Sequence, residues 1–564
     1  MTRARGAVAA AFGVAAATLA LAAATLALAP TPAAAAVVKT WNGPAPPPGY
    51  SLTTGEALRI SQATAAVRAA IEKSSLTVTV GIYQPRRWMV QFKDPKGDIA
   101  AEIHIDDRSE RVVAAWSGTK ANWRNARGSR ALVDERDLGP ATDSLWVWLP
   151  LCLLFVAPFI DPRRPLRRVH FEILLFLLFV LGHTFVVRGE LSNWLLVAYP
   201  ALGLLLARLL VAATGRDRSE ERLVPFVPLK ILAGVLFAVL AVRGVLNVVD
   251  SIPGDVAFAG VAGSDRIIDG HTLYTGGGGK YDTYGPFAYL VYVPFTLLLP
   301  FHGAADVNLV PAHAVAVTFD LLTALTLFLI GRDLRGPGRA GTTLGVVLAY
   351  AWATFPMTWD VLARNTNDNI VGALVLLAFL AFRRPVVSGA LIGLAAAAKF
   401  APLALLPVFA ARTALAYGRR NALALIAIAV LVPVALIALF LPPGGLREFY
   451  DATLGFQVGR VDDPNSVWGL HSGLAGVQDL ARWCAVAFAI GVALVPAKEG
   501  KRGLAALAAA VLLVLQIPLG HFAEQYIVWF LGLAFVAVFS AYELPDRDAA
   551  GTVAAAGSER AALI

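Results

Sequence analysis

Residues 365–409 read NTNDNIVGALVLLAFLAFRRPVVSGALIGLAAAAKFAPLALLPVF. A polar segment is followed here by an apolar run, by two arginines, and by two further apolar runs that meet at Lys399. Apolar runs joined by short polar turns are typical of helices that cross a membrane. Because such runs recur along most of the chain, the pattern predicts a bundle of membrane-spanning helices.

The composition of the whole chain supports this prediction. Of the 564 residues, 57% are hydrophobic and only 15% are charged, and the mean hydropathy is +0.64. A soluble protein carries about 25% charged residues, so a water-soluble globule is excluded. The formal charge of +9 comes largely from basic residues in short loops between apolar runs. That distribution indicates membrane topology, and we do not expect nucleic acid as a partner.

The apolar segments define about thirteen expected spans of an all-α polytopic bundle. We place them near residues 145–160, 170–187, 193–213, 229–249, 309–331, 341–358, 369–382, 388–399, 400–414, 421–441, 475–496, 503–519 and 524–541. Lys399 divides the stretch 388–414, so we expect two short helices that meet at the outer face. We interpret residues 285–301 as a helix that lies in the outer interface, anchored by Tyr289, Tyr292 and its prolines.

The basic residues of the loops set the expected orientation. With residues 285–301 in the interface, Lys and Arg concentrate in the loops on one side, which the positive-inside rule makes the cytoplasm. We therefore expect a multi-pass protein of the cell membrane, with residues 37–143 outside. The C-terminal segment 542–564 is expected to be a disordered cytoplasmic tail.

The segment before the bundle predicts an exported domain. Residues 1–36 combine early arginines with an Ala/Leu-rich core, which is typical of a signal peptide or a signal anchor. The pattern of residues 37–143 predicts one helix followed by a four-stranded antiparallel meander, a small extracytoplasmic α+β domain. It resembles the helix-plus-sheet modules of the PepSY type. Three additional spans within residues 144–228 separate this domain from the region 229–541.

Two long outer segments are candidates for function, because a connection that only joins helices can be short. The first, Asp250–Tyr284, contains five aspartates, His271 and a TGGGGK turn. A solvated loop accounts for its acidic residues equally well. The second, residues 442–474, combines Arg460 and other charged residues with aromatic rings. Such a mixture suits sugars as well as partner proteins.

Polar residues at the edges of apolar runs are further candidates. Asn365, Asn367, Asp368 and Asn369 stand at the start of a span, and burying them costs several kcal/mol unless protein, water or a polar ligand satisfies them. Helix capping explains one of the four. Lys399 either extends its ammonium to the outer surface or binds a phosphate at the interface.

Several other polar residues lie close to apolar runs. The short outer segment with His521, Glu524, Gln525 and Tyr526 either lines the same cavity or anchors the last span. His183 and His313 lie within or beside apolar runs, and we interpret both as packing residues.

The chain resembles the GT-C superfamily of integral-membrane glycosyltransferases, most closely the polyprenyl-phosphate-mannose-dependent mannosyltransferases, over roughly residues 230–540. The residues that match are Asp255 after a span, Gly270 with Tyr274, and the element Tyr284, Gly285 and Pro286. The stretch 365–409 resembles the family's polar-amide element and the helix that ends in Lys and Pro. Tyr-Gly-Pro stands where Tyr-Pro-Pro is more usual, and Asn-Thr-Asn-Asp where Gly-Gln is commoner.

The resemblance implies transfer of a sugar, most often mannose, from a polyprenyl-phosphate donor to a lipid or glycan acceptor of the cell envelope. Transfer takes place on the outer face with inversion, and Asp255 is the implied catalytic base. The implied phosphate ligands are Lys399, Arg266, Arg364 and Arg460. The implied sugar and acceptor ligands are Tyr274, Tyr284, Asn365, Asn367, Asp368 and Gln525. The metal question stays open: the residues suited to a divalent Mg or Mn ion are Asp265, Asp269 and His271.

Two other functions remain open at the level of sequence. A transporter or lipid flippase accounts for the many spans, although it is expected to show internal repeats and broken helices at mid-membrane. A non-enzymatic envelope scaffold would use the exported domain for binding and the bundle as an anchor.

Overall fold

The computed structural model describes residues 39–41, 43, 45–71, 75–83, 86–95, 99–117, 145–187, 190–251, 253–274, 282–299, 309–459, 466–495, 500–521 and 524–544. The expected signal segment 1–36, Arg460 and most of the C-terminal tail lie outside these residues.

The N-terminal module is an antiparallel sheet with two short helices. Its strands follow one another in the sheet in sequence order. The elements are β1 (Lys39–Thr40), α1 (Thr54–Gln62), α2 (Ala65–Ile71), β2 (Thr77–Tyr83), β3 (Arg87–Lys93), β4 (Ile99–Asp106) and β5 (Arg111–Ser117). The expected four-stranded meander is present, and the two-residue strand β1 extends it by pairing with β2.

The single helix expected in this module is wrong, because the helix breaks between Gln62 and Ala65. The Ser61 hydroxyl donates to the carbonyl of Ala57 at 2.8 Å, and the Thr64 hydroxyl donates to the carbonyl of Ser61 at 2.7 Å. Such side-chain hydrogen bonds compete with the helical backbone bonds. Two short helices result, and both pack on one face of the sheet through a shared apolar core.

Asp107 fixes the entrance to α1. Its carboxylate accepts hydrogen bonds from the backbone N–H groups of Ser51 at 2.7 Å and Leu52 at 2.8 Å, and from Trp88 Nε1 at 3.0 Å. Burial by itself raises the pKa of Asp107, but the N–H groups of Leu52, Trp88 and Ser51 outweigh it and lower that pKa below its usual value.

The bundle that follows contains twenty described helices, and those that are long run between its two ends. They are α3 (Leu145–Val156), α4 (Arg168–Val187), α5 (Leu191–Thr214), α6 (Leu229–Asp250), α7 (Asp255–Ile268), α8 (Phe287–Leu290), α9 (Val293–Leu298), α10 (Val310–Arg335), α11 (Arg339–Thr354), α12 (Pro356–Ala363), α13 (Asp368–Leu380), α14 (Pro385–Ala398), α15 (Leu406–Tyr417), α16 (Arg419–Leu439), α17 (Gly445–Tyr450), α18 (Phe456–Gly459), α19 (Val467–Leu470), α20 (Ala475–Gly491), α21 (Gly500–Val514) and α22 (Val528–Phe539).

Five described helices are long and apolar enough to cross a membrane, namely α4, α5, α6, α10 and α16, and the bent pair α11 and α12 makes a sixth. The bend is 59° and falls at Pro356. Helices also occupy the other expected spans, but they are shorter. A helical membrane protein is therefore confirmed, whereas the number of about thirteen spans stays a prediction.

The division of the stretch 388–414 at Lys399 is confirmed. Helix α14 ends at Ala398, and a 3₁₀ turn at Ala401–Leu405 leads into α15. We call the end of the bundle at which α14 finishes the Lys399 end, and the opposite end the Arg208 end.

A buried charge cluster ties the first helices to the last ones at the Arg208 end. Glu172 of α4 accepts from Arg208 of α5 at 2.7 Å and from the Tyr542 hydroxyl at 2.6 Å. Asp217 accepts from Arg208 at 2.7 Å and from Arg502 of α21. Carboxylates buried in an apolar bundle need such partners. The three additional helices α3–α5 are thus joined to the C-terminal part of the bundle.

We expect Asp107→Asn to destabilise the N-terminal module by about 2 kcal/mol, because hydrogen bonds to a buried charged group are weakened. Since the folded pKa is lowered, the stabilisation by Asp107 is present at neutral pH. It is lost as the pH falls from about 4 through that lowered pKa. Faster amide hydrogen exchange in β3 and β4 of the intact, detergent-solubilised protein would show the effect. The exposed Glu110→Gln is the control, and equal exchange in both variants would contradict the prediction.

Candidate functional site

Asp255 is the first residue of α7, so the segment expected to be a loop is partly a helix. The backbone N–H of Gly254 donates to the carbonyl of Arg364 at 2.9 Å, which holds the start of α7 against the residue that follows α12. The side chain of Asp255 is exposed and accepts from the N–H of Val256 at 2.8 Å. An accessible carboxylate is therefore fixed at the Lys399 end.

Helix α7 packs closely against two tyrosines, because small residues lie at the contact. A Cβ atom at Gly263 would lie 2.2 Å from Cδ1 of Tyr289, and one at Gly260 would lie 2.6 Å from the ring of Tyr292. Both tyrosines are completely buried. The expectation that these tyrosines anchor a helix in the membrane interface is wrong, because their rings are buried inside the protein and pack against α7. Residues 287–298 form the two short helices α8 and α9.

Lys399 forms a buried ion pair. Its Nζ lies 2.6 Å from Oδ1 of Asp368, the first residue of α13, and Trp529 Nε1 donates to the same oxygen at 2.8 Å. The side chain of Asp368 is 1% exposed and that of Lys399 is 10% exposed. The ammonium therefore lies close to the surface of the bundle, and the carboxylate of Asp368 lies deeper inside it.

Three aromatic rings surround the same ammonium. Its Nζ lies 5.4 Å from the ring centre of Tyr284, 5.2 Å from that of Tyr526 and 5.5 Å from that of Trp529. Rings at this distance stabilise a cation and exclude water from it. The arrangement fixes a positive charge close to the surface of the bundle.

Tyr284 connects the Lys399 pair with Asp255. Burial raises the pKa of Tyr284 well above its usual value, and the negative charges of Asp255 and Asp368 raise it further. The hydroxyl of Tyr284 therefore stays protonated at neutral pH. Tyr274 is buried and donates to the carbonyl of Tyr284 at 2.9 Å. Tyr274 thus positions Tyr284 and is not accessible to a sugar.

The amide element divides into two groups. Asn365 has φ +52° and belongs to an internal network, in which it donates to Ser251 at 2.8 Å and accepts from Asn247 at 2.8 Å. His313 contacts Ser251 in the same network at 3.1 Å, so it does more than pack. Asn365 therefore joins α6 to the segment after α12.

Thr366, Asn367 and Asn369 form the second group, beside Asp368. All three are buried, and within the described part of the chain the polar atoms of their side chains have no hydrogen-bond partner. Leaving buried amides unsatisfied costs about 1–3 kcal/mol each. These atoms consequently favour water or a hydroxyl-bearing ligand next to the Lys399 pair.

The expected arginine ligands of phosphate already have protein partners. Arg364 lies 2.7 Å from Oδ1 of Asp360 and is buried. Arg266 donates twice to Asp282 at 2.7 Å and once to the carbonyl of Thr272 at 2.6 Å. Both act in holding the backbone around the site.

The residues expected for a divalent ion lie apart from the catalytic candidate. Asp265, Asp269 and His271 are at the other end of α7, and Asp265 is about 15 Å from Asp255 along the helix axis. Burial and the neighbouring Asp269 raise the pKa of Asp265, while His271 opposes them. Within the described residues, the group whose atoms approach closely enough to hold an ion is His183, Asp360 and Glu524.

Residues 283–540 match the family model of glycosyltransferase family 87. The family is of the GT-C type, so the resemblance stated from the sequence is confirmed for this region. It indicates a glycosyltransferase, acting on a donor and an acceptor in a membrane. No curated protein matches the chain.

The part that matches family 87 contains Tyr284, the amide element, Lys399 and the turn Glu524–Ile527, but not Asp255 or α3–α5. Gln525 is half-buried in that turn, beside Tyr526. The sequence patterns did not mark Asp360, named Glu524 only as a residue that lines the cavity or anchors the last span, and indicated a packing role for His183. These three are far apart in the sequence and lie in or beside apolar runs, so no local pattern marks them.

We expect Asp368→Asn to lower the thermal unfolding midpoint of the detergent-solubilised protein. It leaves the Lys399 ammonium without its counter-ion, which typically costs about 3–5 kcal/mol for a buried pair. Adding Lys399→Met removes the unpaired positive charge and should recover most of the lost thermal stability. Asp479→Asn, an exposed carboxylate at the start of α20, is the control. A double variant less stable than Asp368→Asn would contradict the pairing.

Proposed function

We propose that this glycosyltransferase moves mannose from a polyprenyl-phosphate donor to a hydroxyl of a cell-envelope acceptor, with inversion at the anomeric carbon. The observation that carries the proposal is the Lys399 ammonium, held by Asp368 within three aromatic rings on the same side of the bundle as the exposed Asp255. A lipid phosphate lies at the membrane surface, where a fixed cation meets it without further burial.

Asp255 would serve as the base of a single displacement. Its carboxylate takes the proton of the acceptor hydroxyl while that oxygen forms a bond to the anomeric carbon. The bond from this carbon to the phosphate oxygen breaks, and the lipid phosphate leaves with the electron pair. Attack opposite to the leaving group inverts the anomeric centre, since no intermediate on the protein is involved.

Lys399 would stabilise the negative charge that develops on the departing phosphate. An ammonium has three N–H donors, and one of them is directed at Asp368 at 2.6 Å. The remaining donors suit phosphate oxygens, and charge-assisted hydrogen bonds of this kind are the strong ones. Asp368 keeps the ammonium in place between turnovers.

The buried amides beside Asp368 would bind the hydroxyls of the transferred sugar. Thr366, Asn367 and Asn369 offer donors and acceptors that lack protein partners in the described residues. A sugar presents hydroxyls that both donate and accept, so it satisfies these groups together. Tyr284, and Gln525 beside Tyr526, would contact the sugar or the acceptor from the surface side.

The distribution of basic residues supports an outer location of the site. Arg163 lies in a turn, Arg332 in the last turn of α10 and Arg383 at the end of a 3₁₀ helix, all at the Arg208 end. By the positive-inside rule that end faces the cytoplasm. The Lys399 end and the N-terminal module then face outward, where envelope acceptors are found.

We expect Asp255→Asn to reduce transfer of radiolabelled mannose from polyprenyl-phosphate mannose to envelope acceptors by about 10²- to 10⁴-fold. The amide keeps the size of the side chain but cannot take the proton. Membranes with equal amounts of wild-type protein, Asp255→Asn and the control Asp479→Asn are compared.

Undiminished transfer by Asp255→Asn would contradict its role as the base. Transfer from an arabinose or glucose donor, but not from mannose, would correct the sugar. Failure of all three donors with the wild-type protein would contradict the proposal and favour a transporter or a scaffold.

A further inference from the structure

His183 of α4 is buried between two carboxylates that belong to the region matching family 87. Its Nδ1 lies 3.1 Å from Oε2 of Glu524, and its Nε2 lies 3.8 Å from Oδ1 of Asp360. Trp148 of α3 stacks on the imidazole with ring centres 4.4 Å apart. Helix α4, which lies before the matched region, therefore inserts a titratable group among the acidic residues of that region, and α3 covers it with Trp148.

The charges around His183 favour its protonated form. Asp360 and Glu524 contribute two negative charges, and Arg364 contributes one positive charge at 2.7 Å from Asp360 and 3.9 Å from Glu524. An uncompensated buried charge is costly. If His183 is an imidazolium, the two carboxylates, Arg364 and His183 together carry no net charge, which favours the protonated ring. Both ring nitrogens of an imidazolium are donors, and each faces a different carboxylate.

Each of the two carboxylates is connected through neighbouring residues to one proposed functional residue, Asp255 or Lys399. On one side, Asp360 holds Arg364, whose carbonyl accepts from Gly254 at 2.9 Å, directly before Asp255. On the other side, Glu524 begins the turn with Tyr526. The ring of Tyr526 lies 5.2 Å from Lys399 Nζ and stacks on Trp529 at 4.6 Å. His183 contacts both sides.

We propose that His183 is a positioning residue of the glycosyltransferase, an imidazolium that holds the Asp255 side and the Lys399 side of the site in register. Helices α3 and α4 are then part of the catalytic machinery, although they lie outside the matched region. This inference rests on the proposed function, because it assigns His183 to the same reaction.

A divalent cation is the rival occupant of the cluster. One ligand atom from each of His183, Asp360 and Glu524 lies within 4.8 Å of the others. An ion would need one ring nitrogen and both carboxylates on a common centre, whereas the two ring nitrogens face different carboxylates. Arg364 also already neutralises Asp360. A bound proton fits this arrangement better than an ion, and metal analysis of the purified protein separates the two.

The test is a charge-balance cycle in the full-length protein. His183→Gln leaves Asp360, Glu524 and Arg364 with one net negative charge among them, and we expect kcat for sugar transfer to fall by about 10- to 100-fold, with a smaller change in KM for the donor. Adding Glu524→Gln restores neutrality with Asp360 and Arg364, so the double variant should regain most of the lost kcat. The thermal midpoint should fall and recover in the same order.

His170→Gln is the matched control, since His170 lies on α4 near the Arg208 end, about 20 Å from His183 along the axis. It should leave kcat unchanged. A double variant no better than His183→Gln would show that His183 only fills space and would overturn the inference. One equivalent of a transition metal in the wild-type protein, lost in His183→Gln, would overturn it in favour of a metal site.

The inference and the proposed function fail in different ways. Absence of transfer by the wild-type protein would contradict the function, and the positioning role with it. Normal transfer by His183→Gln, beside an active wild-type protein, would contradict the inference alone.

Discussion

The ion pair of Lys399 and Asp368 is the constraint on which the site depends. An ammonium in an apolar bundle is tolerated only when a counter-ion and suitable neighbours compensate its loss of water. Here the compensation comes from the start of α13, from the turn before α22 and from the segment before α8. The pair therefore brings together segments that are distant in sequence.

Buried charges also join the additional helices to the region that matches family 87. At the Arg208 end, Glu172 and Arg208 connect α4 and α5 to the C-terminal part of the bundle. At the Lys399 end, His183 lies between Asp360 and Glu524. Helices in a membrane associate through van der Waals packing and interhelical hydrogen bonds, and here polar contacts at both ends of the bundle add to the packing.

Sequence patterns predicted the helices and strands well, because hydrophobic periodicity depends on neighbouring residues. The meander and the break at Lys399 were confirmed. Helix α7 was missed, since its flanking Pro and Gly and its aspartates resemble a loop; the small residues Gly260 and Gly263 at helical spacing were the signal. The partners of Lys399, Arg364 and His183 could not be predicted from the sequence, because only tertiary packing brings these residues together.

Determination of the structure with bound polyprenyl phosphate would test the central claim most directly. The account predicts the phosphate within about 3 Å of Lys399 Nζ, the distance of a charge-assisted hydrogen bond, with the chain leaving along the membrane-facing side of the bundle. Mutation of Lys399 should then weaken binding. A phosphate bound among Arg168, Arg208 and Arg502 at the opposite end, with Lys399 unoccupied, would contradict the account.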